Sequence, residues 1–333
     1  MYPDTRLHYT PPHPPGSVAL THEQILGICR LGLDDQHQPW PVQSVLMPVL
    51  GPATASLQEV WHTSLPAQDG RFGDVHYRRA GNLLFGVITL EEAQFAGQDG
   101  STALQTLAER AYRQLFALLE QQQCLHLWRV WNYIPRINVE EHGMERYRQF
   151  NIGRHQAFAG SQRPVHGSPA ACALGTASGP VSIAFLAANS AALPIENPRQ
   201  VSAFAYPQQY GPVSPTFSRA ALAGQSGTQW LFISGTASIV GHLTVHVGDV
   251  AAQTAETFAN IAILLEQANR QQPRQPFTLA GLDYRVYIRH AADYPAVRAA
   301  VLARLGEDSR VVYVQADICR ADLLVEIEAQ GTG

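Results

Sequence analysis

The chain contains no lysine; all 23 of its basic residues are arginines. That absence excludes a Walker-type phosphate loop, a Schiff-base lysine and any pyridoxal enzyme anchored through one. Charge is scarce as well. Charged residues make up 15% of the chain, the net charge is −4, and no basic tract stands out, which argues against binding to a nucleic-acid backbone. The four cysteines, Cys29, Cys124, Cys172 and Cys319, are far apart and form no C-x-x-C pair. Neither a zinc knuckle nor a disulfide framework is suggested, and a reducing cytoplasm fits. The longest largely apolar stretch, Val181 to Ala188, is far too short to span a bilayer. The Pro-rich opening MYPDTRLHYTPPHPPGS lacks the apolar region of a signal peptide. No G-x-S-x-G, H-E-x-x-H or G-x-G-x-x-G is present. His242 and His246, four apart in GHLTVHVG, would share a face of a regular strand, but without a third ligand they read as structural or solvent-facing and no metal site is expected.

What is there suits a globular α+β chain. Its 333 residues are 46% hydrophobic, enough for two domains with real cores. Residues 1 to about 20 read as irregular surface. NLLFGVITL, from Asn82 to Leu90, reads as a buried strand. Ser101-Thr102 opens a helix whose Leu104, Leu107, Ala111, Leu115 and Leu118 form one apolar stripe. Cys124 to Ile134 alternates like a strand, and a second helix runs around Gly143 to Phe158. A Gly-, Ala-, Ser- and Pro-rich stretch from Ala159 to Pro180 suggests the division between an N-terminal domain, 1–170, and a C-terminal domain, 171–333. In the second half, a strand at Gln229 to Ser234 precedes a helix capped by Asp249, with Ala255, Phe258, Ala262 and Leu265 on one face. Strand, helix and two further strands follow at Leu282 to Arg289, Tyr294 to Leu305, Arg310 to Ala316 and Leu323 to Glu328. The order β-α-β-α-β-β predicts helices on one face of a mixed sheet, and a weaker β-α-β echo in the first half suggests an internal duplication.

Three groups of residues could carry chemistry. On the second helix Tyr147, Asn151, Arg154 and Phe158 share a face, so a phenol and a guanidinium could clamp a carboxylate; a surface helix with Arg154 lying over Tyr147 would look the same. The stiff segment Glu196 to Ala220 could aim Arg199, Tyr206, Tyr210 and Arg219 at an anion, or serve as a packed connector whose arginines pair with acidic neighbours. In LLVEIEA, alternation sets Glu326 and Glu328 opposite Val325 and Ile327. Glu326 therefore lies either at a solvated edge or in a cleft, where desolvation would make it a proton donor near neutrality. Cys319 has no neighbouring histidine or lysine to activate it as a nucleophile. The residues alone thus describe an Arg/Tyr-rich site for a small carboxylate with one candidate acid, and leave the reaction open.

Two resemblances narrow it. QYGPVSPTFSRAAL with LFISGTAS, DVAAQTAETFANIAILLEQA and DLLVEIEAQ resemble, in order, the opening strands, long helix and last strand of the RidA (YjgF) superfamily. Across most of residues 80 to 330, LWRVWNYIPRIN, ERYRQFNIGRHQAF, ENPRQVSAFAYP, SPTFSRA, FISGTASIVGH and LLVEIEA resemble the chorismatases, whose C-terminal half is RidA-like. This implies a cofactor-free enzyme that cleaves the enolpyruvyl ether of chorismate and releases pyruvate. It implies Tyr147, Arg154, Tyr206 and Arg219 as substrate-binding residues and Glu326 as the acid that protonates the enol-ether methylene. Family members differ in product, and Gly235 and Cys319 match the pair that goes with 3-hydroxybenzoate, in some members alongside 4-hydroxybenzoate, rather than the two alanines of the hydrolytic kind. An imine or enamine hydrolase of RidA type, or a non-catalytic small-acid-binding protein, are the alternatives. No nucleic-acid or membrane partner is expected. The RidA fold commonly forms trimers, but a chain with a second, related half can cover those surfaces internally, so either a monomer or a homotrimer is expected.

Overall fold

The computed structural model describes residues 5–15, 18–32, 40–51, 56–97, 100–163, 167–225 and 227–333. Four strands come first: β1 (Leu7–His13), β2 (Ile25–Gly32), β3 (Val42–Val45) and β4 (Ser56–Thr63), ordered β1-β4-β2-β3. The expected irregular N-terminus is thus in part a strand; residues 1–4 and 16–17 of it lie outside the described residues. Its prolines are tolerated because β1 is an edge strand whose register shifts between Thr10 and His13, where Pro11 and Pro12 need donate nothing.

A first unit follows: β5 (Gln68–Phe72), β6 (Val75–Ala80), β7 (Leu83–Leu90), α1 (Ala103–Gln121), β8 (His126–Pro135), α2 (Arg146–Gly160), β9 (Ala170–Thr176) and β10 (Val181–Ala188). Thr102 and Gln105 close a reciprocal capping box at the start of α1, contributing about 1 kcal/mol. All five residues of its expected stripe are fully buried. A second unit comprises β11 (Ala192–Ile195), β12 (Ala220–Gln225), β13 (Thr228–Ala237), α3 (Val250–Gln271), β14 (Asp283–Ile288), α4 (Tyr294–Leu305), β15 (Arg310–Gln315), the two-residue β16 (Asp317–Ile318) and β17 (Val325–Thr332).

The strand orders show what the halves share. The first sheet runs β5-β6-β7-β10-β8-β9, extended by β16; the second runs β11-β12-β13-β17-β14-β15. Element for element these are one topology, including the parallel pairs β8/β9 and β14/β15 and the antiparallel strand between them and β7 or β13. The echo in the sequence is a duplication of the whole unit. By sheet membership the first unit ends at Ala188, so a division at 170/171 falls on the first residue of β9. The small residues there mark a close approach of the two sheets: Ala171 N–H donates to Ser234 Oγ at 2.9 Å, and Ser218 N–H to Pro169 O at 3.1 Å.

Helices cover the outer faces, α1 and α2 on the first sheet and α3 and α4 on the second. The two inner faces and that of the β1–β4 sheet meet in a shared core around Trp61, Trp131, Phe232 and Tyr287. The α3 stripe differs from expectation: Ala255 is exposed, and Gln253, Thr257 and Asn260 are buried beside Phe258 and Ile261. Thr257 bonds back to Gln253 O within the helix, and the other two are satisfied by segments at the end of the sheet. Asn260 donates to the carbonyls of Ala237 and Ile239, and Gln253 binds Asp322 O and Leu324 N–H.

Candidate active site

The loops held by Asn260 and Gln253 border a cavity of about 510 Å³ between the two units. The β8–α2 connection supplies Asn138, Glu140 and Glu145, and α2 supplies Tyr147 and Arg148. The Pro/Tyr-rich segment brings Tyr206, Tyr210, Phe217 and Arg219; β13 brings Gly235 and Ala237; the turn after β16 brings Cys319 to Asp322; and β17 brings Glu326. A small inner recess continues from it past Tyr147, Cys172, Gly235, Cys319 and Glu326 to Arg154. The seven residues that the resemblance implies for the site therefore border one connected space.

Arg154 is buried with its guanidinium carbon 5.0 Å from the Tyr112 ring and 5.6 Å from Phe158. Its Nε and Nη2 have no hydrogen-bond partner among the described residues. A buried, always-charged fork without an anion is costly, and an incoming carboxylate satisfies it. Tyr147, two turns earlier, lies beside Asn151, and burial drives its phenol well above the usual range, so it stays a neutral donor. Arg219 donates from Nη2 to Val201 O at 2.8 Å and to Tyr206 Oη at 2.6 Å, leaving Nε unpartnered. Arg199, by contrast, pairs with Glu256 at 2.6 Å, so the packed-connector reading holds for it.

Glu326 sits at the junction of cavity and recess, 3% exposed. Desolvation first, then the neighbouring Glu328, raises its carboxyl to about 8, against the pull of Arg129, Arg219 and Arg289. It is the acid form at neutral pH. Gly235 explains how the carboxyl fits: a Cβ there would overlap Glu326 Oε1 and lie 2.8 Å from its Cδ. Cys319 Sγ lies 3.9 Å from Glu326 Oε2, and burial pushes the thiol up to about 12, so it is a neutral neighbour and not a thiolate.

Sequence reasoning missed Arg148, Glu145 and Arg320. Arg320 follows Cys319, and its guanidinium lies 3.9 Å from the Tyr210 ring centroid and 5.1 Å from that of Tyr206, which Arg219 also contacts at 5.4 Å. Its adjacency to Cys319 was the available signal. His242 and His246 do not share a strand face. Leu243–Thr244 forms a two-residue pairing, and His246 has φ of 59°, while His242 packs against Tyr210. Among the described residues no group of three His, Cys, Asp or Glu side chains converges on a metal position.

The family model described as "Chorismatase FkbO/Hyg5-like, N-terminal" matches residues 59–187, close to the extent of the first unit. A chorismatase of Streptomyces rapamycinicus is 38% identical over 280 residues, 82% of this chain and 81% of that protein. The chain belongs to the chorismatase family. A 3-hydroxybenzoate synthase of Streptomyces hygroscopicus is 36% identical over 84% of this chain and 83% of its own length. A crystal structure of a chorismatase matches with a TM-score of 0.87 at 32% identity, covering 99% of this chain and all of that one. The chorismatase fold thus spans both units and the β1–β4 sheet, and no helix among the described residues is long and apolar enough to cross a membrane.

Proposed function

We propose that this chorismatase-family enzyme converts chorismate to pyruvate and 3-hydroxybenzoate, with Glu326 as the proton donor. The observation that carries the reading is Glu326 itself: a buried carboxylic acid facing a cavity lined by Arg148, Arg219, Arg320 and Tyr147, Tyr206, Tyr210, with Glu140, Glu145 and Asp322 among its other polar groups. Chorismate carries two carboxylates. Arg154 with Tyr147 forms one clamp and Arg219 with Tyr206 the other, which places the enol ether between them and beside the acid. Protonation of the ether's methylene carbon by Glu326 makes the adjoining carbon oxocarbenium-like and turns the pyruvyl oxygen into a leaving group. The hydroxyl on the adjoining ring carbon then displaces it within the molecule, forming a new C–O bond as the ether C–O bond breaks and giving up its proton. The hydroxyl's original C–O bond opens, the oxygen regains a proton, and loss of the ring hydrogen from the carbon that keeps the oxygen restores aromaticity. The two products together contain every atom of the substrate, so no water enters. The hydrolytic route, which yields a dihydroxy-cyclohexadiene carboxylate, consumes one. A pocket with Glu326 buried and Cys319 filling the space beside it supports the water-free route.

We also read the protein as a cytoplasmic monomer. Its two units and the β1–β4 sheet cover one another's inner faces, a job that separate copies do in a trimer; light scattering at a mass of 36.4 kDa would support this, and three times that mass would oppose it. The decisive assay incubates the purified protein with chorismate and follows pyruvate and aromatic products by liquid chromatography. Pyruvate with 3-hydroxybenzoate, with or without some 4-hydroxybenzoate, is the expected result. Pyruvate with the diene acid would overturn the product assignment, and absence of pyruvate would overturn the reaction.

A further inference from the structure

Behind Glu326, away from the cavity, four charged side chains meet where the three inner faces converge. Glu328 is two residues on along β17 and on the same face. It is held from two sides: Arg129 of β8, from the other unit, donates from Nη2 to Oε2, and Arg285 of β14 lies 3.1 Å from Oε1. Arg285 in turn pairs with Glu59 of β4. Tyr133 and Tyr287 close the group with an Oη to Oη hydrogen bond of 2.8 Å. Every charged member is at most 5% exposed. Two guanidinium groups and two carboxylates balance one another, so the tetrad is complete without Glu326, and an ionised Glu326 would stand as an odd anion at its edge.

We propose that Glu328, fixed between Arg129 and Arg285, is a positioning residue for catalysis: its carboxylate is held behind Glu326 and keeps that side chain in proton-donating form. This rests on the reading of Glu326 as the acid. The other groups facing Glu326 do not already do the work. Tyr287 and Tyr133 on β14 and β8, Tyr147 on α2, Cys172 on β9 and Cys319 after β16 are neutral near pH 7, each raised by burial. Arg219 and Arg289 oppose the effect, and Arg289 is spent on Asp317 at 2.8 Å. Arg154 also lies in the recess, as a cation. Of the cavity's other carboxylates, Glu145 is paired with Arg148 at 3.5 Å and accepts from Asn138, and Asp322 accepts from Thr244, while Glu140 lies in the β8–α2 connection. Glu328, two residues along the same strand face, is the carboxylate set behind Glu326.

The sign of the prediction separates this role from simple support of the fold. Removing the anion in Glu328→Gln moves the alkaline limb of the kcat–pH profile down by about one to two units, as expected for charges some two strand residues apart in a medium of intermediate dielectric. Removing a cation in Arg129→Met moves the limb up. The charge-neutral double variant Glu328→Gln/Arg129→Met returns it towards the parent and keeps the core closed if either single variant folds poorly. Limbs that stay put, or that shift the same way in both single variants, would overturn the proposal. The same titration is read without substrate from carbon-13 carboxyl resonances of glutamate-labelled protein, with the Glu326 signal assigned by its loss in Glu326→Gln. Should the parent release no pyruvate from chorismate, the proposed reaction fails while this readout still decides the role of Glu328.

Discussion

Adding one methyl group at Gly235 tests how closely catalysis depends on the placement of the acid. The backbone tolerates alanine, because φ at this position is not in the left-handed region. The new Cβ, however, would overlap Glu326 Oε1, lie 2.8 Å from Cδ, and lie 3.3 Å from Cys172 Cβ, where ordinary contacts begin near 3.4 Å. Cys172 need give only slightly. The carboxyl must move about 1 Å or turn out of its site, and a misplacement of that size costs on the order of 100-fold in rate, or ~2.7 kcal/mol of transition-state stabilisation. Gly235→Ala is therefore expected to lower kcat for pyruvate release about 100-fold with little change in KM, since both arginine clamps are untouched. Pyruvate is followed by coupling to lactate dehydrogenase, and products are separated by liquid chromatography. A kcat within threefold of the parent, with 3-hydroxybenzoate still the sole ring product, would show that Gly235 does not hold the acid in place. In the structure the space over Gly235 belongs to Glu326.

Other perturbations follow from the same geometry. Glu326→Gln cannot donate the proton and should lose about 100- to 10,000-fold in kcat, and the parent's activity should fall as pH rises through about 8, the value to which burial raises this carboxyl. Because its folded-state affinity for the proton is raised, the parent loses stability between the ordinary carboxylate range and pH 8, so Glu326→Gln should melt higher than the parent at pH 9 and converge with it near pH 5; equal melting temperatures at pH 9 would refute the burial argument. Arg154→Met removes a charge-assisted clamp of about 1.5–3 kcal/mol and should raise KM roughly 10- to 150-fold, which steady-state kinetics on chorismate would show. Cys319→Ala leaves a water-sized space beside Glu326 and should divert part of the product to the hydrolytic diene acid, detected by chromatography; an unchanged product ratio would remove Cys319 from any role in water exclusion.

Much of this arrangement was legible in the sequence, and the misses have physical causes. Helix α1 announces itself through its cap and stripe and α3 through its Asp249 cap, and alternation along LLVEIEA puts Glu326 and Glu328 on the face that proves to be buried. The first 80 residues were opaque because their strands are short, interrupted by proline and paired with distant partners. The offset of the α3 stripe has a different origin: Gln253 and Asn260 are buried for the hydrogen bonds they give to cavity loops, and hydrophobic periodicity cannot see that. Whether Glu326 lay at an edge or in a cleft could not be read from its own strand, since its environment comes from β8, β9 and α2 of the other unit. Pairings such as Arg129 with Glu328, 199 residues apart, are likewise invisible to local pattern.

The duplication also explains why one chain has one such site. β10 and β17 occupy the same place in their sheets, yet their inner faces differ completely: Ala184, Leu186 and Ala188 on one, Glu326, Glu328 and Gln330 on the other. The first unit spends this face on the shared core, while the second gives it over to an acid and its charged support. On the proposed reading neither unit suffices alone, because Arg154 and Arg129 come from the first unit and Glu326 and Arg219 from the second. The cavity lies at the junction of two like units that have diverged, one towards packing and the other towards charge. A substitution that polarises β10, such as Leu186→Glu, should accordingly cost core stability without creating a second site, since it would meet no counterparts to Gly235 and Arg219 there.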